Sequence, residues 1–461
     1  MKSLRAMLIG KTLQRANLAL VVLGLASLAL YRLGLRAKGT DDIIWFVKVE
    51  LIQATLYLIA AWLVLRTRPS RSTLIIVIVF AALFRLSILF TPPYLSDDIY
   101  RYVWDGRVQA AGINPYRFVP ADEQLSHLRD ADIYPNINRR DYAHTIYPPV
   151  AQAIYFLATR VSERVTWMKT VMVCFEALAL WALAALLASF NLPRQRALLF
   201  AWHPLYVWET AGSGHVEAVA VAFILLALLA RRRNWETATG VALACATLIK
   251  LFPVVLFPAL YKRWGWRMPV AFAATIVIAY VPYLSVGVTG VLGYLPGYTE
   301  EEGLQNGVRF YLLSLAQHAF GEDRVPNAAF LIFALLVLFV LAVWMLWKQE
   351  RTDDSSYLAR SLTLAAVFTG LLSPRYSWYF AWLVPFACLM PLAPLFYVTT
   401  ASFVLYASWL GDKPPQLFIL NTFIYLPLAF IVALTLWTRR TAAHHERAHY
   451  KSSALLEREP T

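Results

Sequence analysis

The sequence predicts an all-α fold, a polytopic bundle of transmembrane helices, and three observations carry that prediction. Of 461 residues, 59% are hydrophobic and only 15% charged, against about 25% charged in an ordinary soluble domain. Apolar runs of about 17–25 residues, the length that crosses a ~30 Å hydrocarbon layer, recur along the whole chain. The basic residues behind the formal net charge of +14 sit in short gaps between those runs: RTRPSR (66–71), NLPRQR (191–196), RRRNW (231–235), YKRWGWR (261–267) and WKQER (347–351). That spacing follows the positive-inside rule for cytoplasmic loops. Topology therefore accounts for the charge, and no nucleic-acid partner is expected.

Taken in order, MKSLRAMLIGKTLQR carries four Lys/Arg and precedes ANLALVVLGLASLALYRLGL. Many apolar runs follow, so residues 16–35 read as a retained first helix and not a cleaved signal. With that end inside, spans fall at about 16–35, 45–65, 72–90, 168–190, 196–212, 215–231, 236–250, 251–262, 268–288, 326–347, 358–373, 376–390, 393–411 and 416–437. The expected count is 12–14, because the arms around Lys250 are short and Pro253 and Pro258 favour broken helices there. Residues 146–164, opened by Pro-Pro and carrying Arg160, Glu163 and Arg164, read as an interfacial helix with Tyr147 and Tyr155 as anchors. The plan is one membrane domain, 1–437, with extracytoplasmic loops at 91–167 and 289–325. The second loop is acidic, with TEEE (299–302) and GEDR (321–324). A basic cytoplasmic tail, 438–461, follows. Cys174, Cys245 and Cys388 all lie in apolar segments and read as packing residues. There is no P-loop and no Gly-rich dinucleotide turn.

The first loop opens with SDDIYRYVWDGRVQAAGINPY (96–116). On a helix capped by Ser96, Asp97, Arg101 and Asp105 succeed one another at four-residue steps. The plain reading is a salt-bridged stripe with its acids near the positive end of the helix dipole. Against it, Asp97 and Asp98 are adjacent and project differently. They also sit at a bilayer edge among Tyr94, Tyr100, Tyr102, Trp104 and Tyr116. Sugar rings stack on aromatic faces, and a carboxylate in a partly dry site can act as general base.

These residues, with AAGINPY, the YPPVAQ segment, HPLYVWETAGSGHVEAVAVAF (203–223), GVALACATLIKLFPVVLFPALYKRWGWR (240–267) and LLSPRYSWYFAWLVPF (371–386), resemble the GT-C glycosyltransferases. The strongest resemblance is to bacterial polyprenyl-phosphomannose-dependent α-mannosyltransferases, and it runs from about residue 70 to 390. It implies inverting transfer of a sugar, mannose, from a polyprenyl-phosphate donor to a glycolipid or cell-envelope glycan. The reaction would occur on the extracytoplasmic side of a bacterial plasma membrane. The implied base is Asp98 or Asp97, with a divalent cation at that pair left open and no dedicated metal site. Asp105, Arg101, Tyr102, Asn114 and Tyr116 are implied around the substrates.

Cations near helix ends are candidates for neutralising the leaving phosphate: Lys250, Arg375 and, with less support, Arg107, Lys169 and Arg85, the last of which could instead snorkel or pair with Glu176. His215, with Glu217 two residues on, is a further binding candidate. Each has a plainer reading as an interfacial anchor or a buried hydrogen-bond partner. The alternative function is a lipid or solute transporter, which would place its polar groups at the midplane between repeated halves.

Overall fold

In hydrocarbon every backbone polar group must be satisfied within its own segment, and helices do this without partners. The computed structural model describes residues 2–37, 42–68, 70–301, 310–348, 356–410 and 414–456, and these are mostly helical with no strand among them. Expectations that fall on residues 69, 302–309, 349–351 and 457–461 lie outside the described residues. Among the described residues, seven helices are long and apolar enough to cross a membrane: Thr12–Gly34, Ile43–Arg66, Arg71–Leu89, Val165–Ser189, Arg267–Gly290, Asn327–Trp347 and Gln416–Thr441. The other apolar stretches expected to cross are divided into shorter helices. Proline starts several of them, as at Pro204, Pro253 and Pro258, because it fits a first helical turn and cannot continue a preceding one.

The first six helices are α1 (Lys2–Gly34), α2 (Ile43–Arg66), α3 (Arg71–Leu89), α4 (Asp98–Ala110), α5 (Pro149–Thr159) and α6 (Val165–Ser189). The core gathers α2, α3, α6, residues 197–230 and residues 378–389, which are almost wholly buried. By contrast, Asn327–Trp347 leaves Leu335 and Phe339 about two-thirds exposed, as lipid-facing side chains would be. Inside the core, Arg85 of α3 pairs with Glu176 of α6 and donates to the carbonyls of Ala81 and Ala201. A buried ion pair is tolerable when its remaining donors are also used. Arg85 pairs and does not snorkel.

Two expectations about the first loop are corrected. Ser96 does not cap α4: the N-cap is Asp97, and the Ser96 hydroxyl accepts the Asp98 N–H at 3.2 Å. At eleven residues, α5 is about 16 Å long at ~1.5 Å per residue, too short to span. Its tyrosines, however, are not headgroup anchors. Tyr155 is fully buried and stacks on Tyr102 at 4.6 Å and 6°, with Tyr147 edge-on to both. The cause is a close crossing of α4 and α5 at Gly106, where a Cβ would lie 2.5 Å from the Tyr155 carbonyl oxygen. The rings fill the space between two helices that any larger residue would push apart.

Candidate active site

Behind the site, α4 is fixed by a buried polar ladder. Arg101 donates to Asp105 Oδ1 at 2.8 Å and to the Ala143 carbonyl at 3.1 Å. The other oxygen of Asp105 accepts from Thr145 Oγ1 at 2.5 Å and Gln152 Nε2 at 2.9 Å. Gln109 continues the ladder to Gln152, and Tyr283 donates to Gln109 from a distant helix. All of Asp105's acceptor capacity is directed inward, which locks residues 143–147 against α4.

In front of that ladder lies a cavity of about 770 Å³, within the range of small-molecule sites. Asp97 and Asp98 form part of its wall, at the N-terminus of α4 where the helix dipole favours negative charge. One amide nitrogen serves both acids: Asn138 Nδ2 donates to Asp97 Oδ1 at 2.7 Å and to Asp98 Oδ1 at 2.8 Å. Burial pushes the Asp97 carboxyl above its usual range, the Asn138 hydrogen bond opposes this, and the adjacent Asp98 charge adds to it. A carboxylate raised in this way is a better proton acceptor near neutrality than a solvated one.

The opposite wall comes from residues 249–252, 294–301 and 376–379. Lys250 is the cation there. It donates to the buried Glu217 and lies 4.7 Å from the centre of the Tyr379 ring. The lone cation flagged in the sequence thus has a specific counter-charge. Trp378 stacks on Tyr376 (4.4 Å, 6°) and meets His215 at a tilt (4.5 Å, 44°). His215 does not pair with Glu217: its Nδ1 meets Glu209 Oε2 at 2.5 Å. A π-helical turn at Val207–Gly212 carries Glu209, and such turns redirect side chains at functional sites.

Arg101, Asp97, Asp98 and Lys250 line the cavity. Asp105 and Tyr102 are buried behind it and support the wall. Three other side chains, Arg107, Asn114 and Tyr116, lie outside the cavity lining and are engaged with partners of their own. Arg107 binds Asp130 at 2.6 Å and Glu163 at 2.8 Å at the far end of α4. Asn114 donates to the Tyr283 carbonyl and Ser285 Oγ, and Tyr116 to the Tyr147 carbonyl at 2.6 Å. Arg375 is outside the lining, 5.6 Å from the ring of Tyr376, which is in it. Lys169 is buried and donates to the Ile88 and Thr91 carbonyls, closing the end of α3.

Sequence reasoning missed Asn138, Arg139, His144, Glu301 and Tyr298. Glu301 accepts from Arg139 Nε at 2.5 Å, Tyr294 at 2.7 Å and Tyr142 at 3.0 Å. Although burial opposes it, these donors hold the Glu301 carboxyl below its usual range. His144 is pushed below the ordinary imidazole value by burial and by the charge of Arg101, so the cavity wall carries a neutral imidazole at pH 7. Among the described residues no group of three His, Cys, Asp or Glu side chains gathers as a metal would require.

Against known proteins, residues 16–266 match the family model described as alpha-(1->6)-mannopyranosyltransferase, N-terminal domain. That stretch includes Asp97, Asp98, Asn138, Glu217 and Lys250. Alpha-(1->6)-mannopyranosyltransferase A of Mycobacterium tuberculosis is 23% identical over 330 residues, which is 66% of this chain and 63% of that protein. The match thus spans less than two thirds of the relative's length. With more than half of its residues matched, including Asp97 and Asp98, the chain belongs to the alpha-(1->6)-mannopyranosyltransferase family.

Proposed function

We propose that this chain is a membrane mannosyltransferase. It would take mannose from a polyprenyl-phosphate donor and pass it to a hydroxyl of a glycolipid or cell-envelope glycan. The observation that carries the reading is the paired carboxylate of Asp97 and Asp98, set at a helix N-terminus on the wall of an aromatic-lined cavity that also holds Lys250. In this reaction Asp98 or Asp97 accepts the proton of the acceptor hydroxyl, whose oxygen bonds to the sugar's anomeric carbon. The carbon–phosphate oxygen bond breaks and the polyprenyl phosphate leaves with the electron pair. Attack from the face opposite the leaving group inverts the anomeric centre. Phosphate is a good leaving group, so neutralising the charge on its oxygens matters more than protonating it. Lys250 is suited to that task, because Glu217 holds its ammonium at the cavity edge.

In this reading the loops 91–167 and 289–325 lie on the extracytoplasmic side of a bacterial plasma membrane, and the basic gaps and tail on the cytoplasmic side. A divalent cation at Asp97 and Asp98 would be held by the Oδ2 oxygens that the Asn138 amide leaves clear, or would displace that amide from Oδ1. Chelation followed by metal add-back tests that point. The family match gives the transporter alternative no support.

The test is purified protein in liposomes given labelled polyprenyl-phosphomannose, or its glucose or arabinose analogue, with a glycolipid acceptor. Mannose should be transferred, and Asp98→Asn should lose that transfer. Movement of intact donor across the bilayer without glycosidic bond formation would overturn the reading. A cysteine placed at the exposed Tyr142, in a cysteine-free background, should react with an impermeant maleimide from the extracytoplasmic side only.

A further inference from the structure

Residues 138 and 139 belong to no motif, yet they connect the two sides of the cavity. Asn138 gives one hydrogen of a single amide nitrogen to each carboxylate. Neither acid can turn without losing its bond, and each keeps Oδ2 clear of that bridge. The next residue, Arg139, has φ 50°, a left-handed backbone that a non-glycine residue adopts rarely and that marks functional positions. Its carbonyl holds the turn by accepting the Ala143 N–H at 2.9 Å. Its guanidinium reaches across to Glu301, at the end of the short helix Leu295–Glu301. Glu301 is in turn gripped by the hydroxyls of Tyr294 and Tyr142. On the same helix Tyr298 lies 5.8 Å beneath the Arg139 guanidinium and shares a 2.7 Å hydrogen bond with Tyr379, on the wall beside Lys250. A continuous series of polar contacts therefore runs from the second loop through residues 139 and 138 to the acidic pair.

The geometry points to Asn138 as the positioning residue that aligns Asp97 and Asp98, with the Arg139–Glu301 ion pair setting Asn138. Docking of the helix Leu295–Glu301 on the first loop thus completes the site. This inference rests on the transferase reading. If the base lies a few tenths of an ångström to an ångström off line, turnover suffers about 10²-fold while ground-state binding is largely kept.

The experiment compares steady-state transfer by wild type, Asn138→Leu, Asn138→Gln, Glu301→Gln and the double variant Asn138→Leu/Glu301→Gln, with thermal unfolding of each in detergent. Asn138→Leu keeps the volume and removes the donor, so kcat should fall about 10²-fold with KM for the donor nearly unchanged. Asn138→Gln, which keeps an amide, should recover part of that loss. Glu301→Gln should lower kcat less. The double variant should be no slower than Asn138→Leu alone, because the two residues act in series. Wild-type kcat in Asn138→Leu, no recovery in Asn138→Gln, or additive losses in the double variant would overturn the proposal. If Asn138→Leu fails to fold, Asn138→Ser takes its place, and unfolding of both would reduce Asn138 to a structural role. A wild-type protein that transfers no sugar would instead overturn the transferase reading itself.

Discussion

At the start of α4, Asp97 and Asp98 share one donor and face a cavity. Two turns further on, Asp105 is sealed from solvent and accepts from Arg101, Thr145 and Gln152. The two places carry the same side chain on the same short helix. An acid whose lone pairs are all engaged has its geometry locked, so it supports the fold. An acid that keeps an oxygen clear of protein donors can still take a proton. The neighbours decide the role, and all of them but Arg101, four residues from Asp105, come from 40 to 47 residues away along the chain.

That contrast can be broken at several points. Asp98→Asn or Asp97→Asn should lower kcat by about 10²–10⁴-fold, the usual contribution of a general base, with unfolding temperature unchanged. Rates should also fall on the acid side, where the carboxylate protonates. Because burial raises Asp97, the fall should come at a higher pH if Asp97 is the base than for a solvated aspartate. Asp105→Ala should do the reverse of the first pair. It leaves Arg101 buried and uncompensated, so stability should drop by about 3–5 kcal/mol, read from denaturation. Equal stability in Asp105→Ala and Asp98→Asn would erase the distinction.

Lys250→Met should weaken donor binding about tenfold to a hundredfold, the worth of a charge-assisted contact of ~1.5–3 kcal/mol. Titration with a short-chain polyprenyl-phosphate sugar measures it, and unchanged affinity would place the charge neutralisation elsewhere. The smallest effect belongs to Arg107→Ala, whose partners are partly exposed: about 1 kcal/mol of stability and no loss of turnover. Burial would raise Asp130, but Arg107 and the N–H groups of Ile133 and Tyr134 outweigh it and bring its carboxyl down to about 2. A folded value below the unfolded one stabilises at neutral pH and is lost as pH falls through about 2. The Arg107→Ala penalty should therefore shrink in acid.

Much of this was legible in the sequence. Hydropathy and charge placement define a helical membrane protein because the bilayer permits little else. The acidic pair stood out because its residues are contiguous, and Lys250 because an ammonium in an apolar run is costly. The partners were hidden for physical reasons. Asn138 sits in a loop with no period to read. Glu301 is 162 residues from the arginine it binds. Glu217 is only two residues from His215 in sequence, yet the π-helical turn delivers Glu209 to its ring. Tyr147 and Tyr155 have the composition of surface anchors, and only the tight crossing at Gly106 turns them inward.

Gly293 has φ 54°, and a Cβ there would lie 1.8 Å from the Thr145 carbonyl oxygen, so the two long connections meet backbone to backbone at this point. Such a seam has no side chain through which a mismatch could be absorbed. Chimeras between relatives would therefore have to exchange residues 143–147 and 290–301 together, and swapping either alone should yield a protein that inserts but does not assemble its upper chamber.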